Sequence, residues 1–134
     1  MDCIFCDIIS GKRPGTFLYS DDDIVVFLDK YPIDHGHSLV VSKKHYEKII
    51  DMNAEEVGTM FSKIPKIAKA ILNGTGADAF SIAQNNGKAA KQIIPHVHVH
   101  IIPRFNNKGT IWTKREISNT DDLEALAEKI RVHL

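Results

Sequence analysis

The spacing of apolar residues changes several times along the chain, and each change marks an element. Ile24 to Asp29 (IVVFLD) and Ser38 to Ser42 (SLVVS) are short, β-branched and bounded by turn-forming residues, the signature of strands. YPIDHGH between them reads as a loop. From Asn53 the interval becomes three and four: Val57, Met60, Phe61, Ile64, Ile67, Ala68, Ile71 and Leu72 predict one long helix. Asn53, with Glu56 three residues on, is its starting cap, and NGTG at Asn73 to Gly76 its stop. Pro65 removes a backbone donor inside that helix and predicts a kink between Phe61 and Pro65. Ala79 to Asn85 (AFSIAQN) reads as a strand, NGKAAKQ as a loop, and the alternating stretch HVHVH, entered at Pro95, as the next strand. A last amphipathic helix runs from Asp121 to about Leu134, with Leu123, Leu126, Ala127, Ile130 and Leu134 on one side. Strands, a long central helix and strands again predict an α+β fold built on an antiparallel sheet.

Composition narrows the picture. With 134 residues, 43% of them hydrophobic and 25% charged, and with no repeat or linker-like shift, the sequence suits a single domain. Lysine plus arginine equals aspartate plus glutamate at 17 each, so no overall field draws the chain to nucleic acid or an anionic membrane. Apolar runs fall far short of the roughly 20 residues that span a bilayer. The start, MDCIFCDIIS, lacks the basic region of a signal peptide, which predicts a cytoplasmic protein. In that compartment Cys3 and Cys6 suit metal binding or redox chemistry better than a structural disulfide. Redox is the weaker use, because a C-x-x-C redox motif normally follows a strand and position 3 leaves no room for one.

Three of the seven histidines stand at alternate positions in HVHVH. On a strand His96, His98 and His100 share one face, and Val97, Val99 and Ile101 share the other. Three readings follow: a wet strand face written in imidazoles, a metal site built from residues two apart, or catalysis by a neutral imidazole with imidazole neighbours. Wet faces usually carry lysine, threonine or glutamate, so the first fits poorly.

HVHVHII, together with FLDKYPIDHGHSLVVSKKH upstream, resembles the signature of the histidine triad superfamily of nucleotide hydrolases and transferases. The likeness covers about Cys3 to Arg104 and leaves 105–134 as a loosely matched tail. It implies a sheet of about five antiparallel strands with a central and a C-terminal helix, and a homodimer. It also implies roles. His98 is the nucleophile that attacks the α-phosphorus of a purine nucleotide or nucleotide conjugate, His100 contacts the phosphate and assists the leaving group, and His37 supports the triad. Asn85 and Gln92 hold the phosphate, Asp29 takes the ribose hydroxyls, and Ile4, Phe5, Ile8 and Phe27 form the slot for the base. Ile93 stands where the family often has serine or threonine, one hydroxyl fewer at the phosphate.

Zinc-bearing members of the superfamily pair a cysteine couple near the start with a histidine after the upstream strand and the first triad histidine. The resemblance therefore implies a structural zinc held by Cys3, Cys6, His45 and His96, which would leave His98 and His100 for chemistry. Pro95 marks the place where the chain can turn His96 away from the other two. The activity implied is hydrolysis of purine nucleoside phosphoramidates or dinucleoside polyphosphates. A nucleotidyl transferase is the alternative enzyme, although such transferases carry glutamine where His100 stands. A nucleotide-binding module with little turnover is the third reading.

Overall fold

The computed structural model describes residues 3–113 and 119–134. Five strands, β1 (Phe17–Ser20), β2 (Ile24–Leu28), β3 (Ser38–Ser42), β4 (Ala79–Ala83) and β5 (His98–Arg104), form one antiparallel sheet in the order β1-β2-β3-β5-β4. β5 slots between β3 and β4, with His98 opposite Val41 and His100 opposite both Leu39 and Ala83. The expected α+β architecture is thus present, and the position of β5 between two strands pairs His100 on both sides and His98 on one.

Both faces of this sheet are covered, which explains why β2 reads as an unbroken apolar run instead of an alternation. One face, with Val26, Val40, Val99 and Ile101, packs on α2 (Ala54–Ser62), α3 (Ile64–Thr75) and α4 (Thr120–Arg131). Each fully buried valine or isoleucine there contributes about 1.5–3 kcal/mol. On the opposite face Val25, Phe27, Leu39 and Val41 meet Phe5 of α1 (Ile4–Ser10). The histidine face is therefore a second, smaller core.

Helix limits follow local chemistry. Asn53 Oδ1 accepts from Glu56 N, and the Glu56 carboxylate accepts from Asn53 N, the reciprocal cap read from the sequence. The predicted single helix is two: α2 stops at Ser62 and α3 opens at Ile64 with Pro65 in its first turn. A proline without an N–H crowds the preceding turn but suits a helix start, so the break replaces a kink. Gly76, left-handed at φ 73°, ends α3 as expected. At Gly74 a Cβ would lie 2.8 Å from the Ile130 backbone, so glycine lets α4 approach α3. Asn119 caps α4, which ends at Arg131, short of the predicted Leu134.

Three differences bear on function. α1 and β1 were not legible as elements in the sequence, and β4 stops at Ala83 instead of Asn85. More important, β5 begins at His98, so His96 lies before the strand. No helix among the described residues is long and apolar enough to cross a membrane.

Candidate functional site

Cys3 is the N-cap of α1, its Sγ accepting from Cys6 N at 3.4 Å. One turn of helix thus brings both sulfurs to the same side. Opposite them, His45 follows β3 and His96 precedes β5, and the two Nδ1 atoms lie 3.1 Å apart. Cys3 Sγ is 3.3 Å from His96 Nδ1, and Cys6 Sγ is 3.3 Å from His45 Nδ1. All four ligand atoms fall within 4.8 Å of one another. A tetrahedral ion with bonds of about 2.0–2.3 Å separates its ligands by roughly 3.3–3.8 Å, so this set fits a metal of the zinc type.

The outer nitrogen of His96 supports the same reading. His96 Nε2 lies 2.6 Å from the Ser42 carbonyl oxygen, which can only accept, so Nε2 carries the proton and Nδ1 offers its lone pair to the cluster. Burial, above all, pushes the His96 imidazole below its ordinary pKa, with His45 and His98 acting the same way against the Ser42 hydrogen bond. The Cys6 thiol is pushed up to about 11, by burial first and then by Cys3 and Asp7. A bound cation would reverse that by favouring the thiolate.

His98 is buried, and its Nδ1 lies 2.6 Å from the His96 carbonyl oxygen. The same logic gives Nδ1 the proton and leaves the Nε2 lone pair as base or nucleophile. Phe5 meets the His98 ring edge to face at a centroid distance of 4.9 Å, which holds its plane.

A second group joins Asp29, His37 and His100. Gly36, at φ 89°, makes the turn that delivers His37 to the start of β3. Ile33 N donates to His37 Nδ1 at 2.8 Å, and His37 Nε2 lies 2.9 Å from His100 Nδ1. Since Ile33 N–H can only donate, a neutral His37 carries its proton on Nε2 and gives it to His100 Nδ1. His100 then bears its own proton on Nε2. Asp29 Oδ2, 3.6 Å from His37 Nε2, adds a negative charge beside this chain of donors. The group lies within metal-binding distances, and its hydrogen bonds run from Ile33 N–H to His37 and on to His100.

The remaining sequence candidates divide. Phe5, Ile8 and Phe27 meet in one apolar cluster, whereas Ile4 is 41% exposed and stands outside it. Asn85 is half-buried on the loop after β4. Gln92 is buried and braces its loop: Oε1 accepts from Gly87 N, and Nε2 donates to the Glu47 carbonyl. One amide proton remains for other use. Asp29 Oδ1 accepts from Tyr31 N. A cleft of about 580 Å³ adjoins Asp29 and His37 on the side of Leu126, and Lys108 of the tail sits in it, 3.3 Å from Asp34. His35 and His133 lie at the surface. Sequence reasoning missed Ser42 and Ile33, which act through backbone groups and leave no residue signature.

A family model for the HIT domain matches residues 10–107. An adenylylsulfatase of Arabidopsis thaliana is 41% identical over 99% of this chain and 70% of its own length. An adenosine 5′-monophosphoramidase of Schizosaccharomyces pombe is 36% identical over 97% of this chain and 96% of its own. Among solved structures, a zinc-bound histidine triad family protein from Mycobacterium smegmatis superposes with a TM-score of 0.88 at 35% identity, over 99% of this chain and 93% of that one. With a family model across most of its length and relatives well above 30% identity, the chain belongs to the histidine triad family.

Proposed function

We propose that the chain hydrolyses purine nucleoside 5′-phosphate conjugates at the α-phosphorus, with phosphoramidates or dinucleoside polyphosphates as substrates. The observation that carries this reading is the buried His98, whose Nδ1 is committed to the His96 carbonyl at 2.6 Å while Nε2 keeps its lone pair. His98 Nε2 attacks phosphorus and forms a P–N bond as the bond to the leaving group breaks. His100 Nε2–H gives its proton to the departing amine or phosphate, and His37 reorders the relay behind it. Water then displaces His98, breaking the P–N bond; one water proton returns to the His37–His100 pair, which restores all three imidazoles as the nucleoside monophosphate leaves. Asp29 serves the ribose hydroxyls, Phe5, Phe27 and Ile8 the base, and Asn85 with the spare proton of Gln92 the phosphate oxygens.

Zinc fits the four-ligand cluster of Cys3, Cys6, His45 and His96. Bound there, it supplies no catalysis but ties α1 to β3 and β5. A homodimer belongs to the same reading, supported by the exposed Phe80 and Ile82 on edge strand β4, and so does a cytoplasmic location.

His98→Ala abolishes turnover of adenosine phosphoramidate while nucleoside monophosphate binding stays measurable; turnover within tenfold of the parent chain sinks the assignment. A substrate panel of phosphoramidate, dinucleoside polyphosphate and nucleoside phosphosulfate, the last suggested by the adenylylsulfatase relative, identifies the leaving group.

A further inference from the structure

The four-ligand cluster and the nucleophile are built into one another. β5 begins only at His98, so the His96 peptide is not fixed by the sheet ladder. Its N–H goes to Ile94 O at 2.8 Å, and Val97 N goes to Tyr46 O at 2.7 Å. Its carbonyl shares a peptide plane with Val97 N–H, and the His96 side chain adds a second hold on it, anchored at Nε2 by Ser42 O and at Nδ1 among Cys3, Cys6 and His45. That same carbonyl accepts from His98 Nδ1. The second connection is Phe5, between the two cysteines on α1, whose ring stands edge-on to His98 at 4.9 Å and to His96 at 5.9 Å. Both contacts therefore reach the cluster within one residue: His98 to His96, and His98 through Phe5 to Cys3 and Cys6.

We infer that His96 and Phe5 are positioning residues, and that metal capture by Cys3, Cys6, His45 and His96 sets the orientation and tautomer of His98. The inference rests on reading His98 as the nucleophile. With the cluster filled, α1 is clamped, Phe5 and His100 flank the imidazole and the His96 carbonyl takes Nδ1–H, so Nε2 keeps its lone pair as the attacking atom. With the cluster empty, two imidazole nitrogens and two thiols at 3.1–3.6 Å have no common partner, and the clamp on both contacts loosens. His98 then samples the other tautomer, in which Nε2 carries the proton and cannot attack.

His45 is the position at which to test this, since its Nδ1 meets Cys6 Sγ and His96 Nδ1 and its ring packs on His96, one residue removed from His98. In full-length protein carrying ¹⁵N-histidine, the zinc-loaded chain shows His98 as a single Nδ1–H tautomer. Removing zinc with a chelator adds the Nε2–H form. His45→Ala loses zinc and lowers kcat for adenosine phosphoramidate about 10- to 100-fold with KM within about threefold, the scale of losing a support that orients the reacting group from behind. His45→Cys, which keeps four ligands, restores zinc, the single tautomer and kcat.

An unchanged His98 tautomer and unchanged kcat in zinc-free protein overturn the inference while leaving His98 as nucleophile. Collapse of the fold on zinc removal, seen by circular dichroism, also overturns it, since the site then acts on the whole chain. Full turnover by His98→Ala overturns the reading beneath it instead.

Discussion

Two clusters of potential metal ligands lie on either side of His98, through His96 and His100, and they are wired in opposite senses. Cys3, Cys6, His45 and His96 form one; Asp29, His37 and His100 form the other. Both are largely buried and have interligand distances near 3 Å. What separates them is the backbone group on the outer nitrogen of one imidazole. At His96 that group is the Ser42 carbonyl, an acceptor, which sends the inner nitrogen's lone pair into the cluster. At His37 it is the Ile33 N–H, a donor, which sends a proton inward towards His100. A single carbonyl or amide thus decides whether a cluster of histidines presents lone pairs to a cation or passes protons.

The largest effect that would break this contrast comes from removing the sulfurs. Cys3→Ser with Cys6→Ser leaves no zinc on the purified chain by metal analysis. Zinc at a hundred times its Kd stabilises the parent chain by about 2.7 kcal/mol in thermal unfolding and the double variant not at all. Zinc retained by the double variant would place the metal elsewhere. Next in size, His37→Leu removes both the acceptor for Ile33 and the donor to His100. It lowers kcat about 10- to 100-fold with zinc content unchanged, and His37→Gln, whose amide offers an acceptor and a donor, recovers part of it. Loss of zinc from His37→Leu would erase the distinction between the clusters.

The smallest effect belongs to a charge pair outside both. Burial works against the Asp21 carboxylate. Lys63 Nζ at 2.7 Å, the Ile24 and Asp23 amides and the Tyr19 hydroxyl nevertheless hold its pKa well below the usual carboxylate range. A carboxyl depressed in the folded state contributes stability above its unfolded pKa of 3.8 and loses it as pH falls through the folded value. Lys63→Met therefore costs about 1 kcal/mol at pH 7 and progressively less below pH 3.8, with neither zinc content nor kcat altered. A change in either would couple this surface to the site.

The sequence made the contrast only half legible. Strands β2 and β3 rest on β-branched runs and the Asn53 cap and Gly76 stop on residue type, and all of these appear in the fold, whereas the strand read from HVHVH starts only at its middle histidine. The long helix was legible except for its consequence at Pro65, where starting a new helix costs less than bending the old one. α1 has seven residues and β1 four, too few for a period to register, and α1 is held by Phe5 and the cysteine cluster more than by any propensity of its own. The division of the triad followed from the cysteine pair and the family likeness. The roles of Ser42 and Ile33 were hidden because the groups that act are a carbonyl and an N–H, which every residue except proline possesses. Gln92 was read as a phosphate partner from the family likeness, while its fold position also makes it the brace of its own loop.

X-ray absorption at the zinc edge of the zinc-loaded parent chain tests the contrast most directly, because the two clusters differ in sulfur. The account predicts one zinc per chain with two sulfur ligands at about 2.3 Å and two nitrogen ligands at about 2.0–2.1 Å. A zinc bound only by nitrogen and oxygen, as Asp29, His37 and His100 would supply, would contradict it.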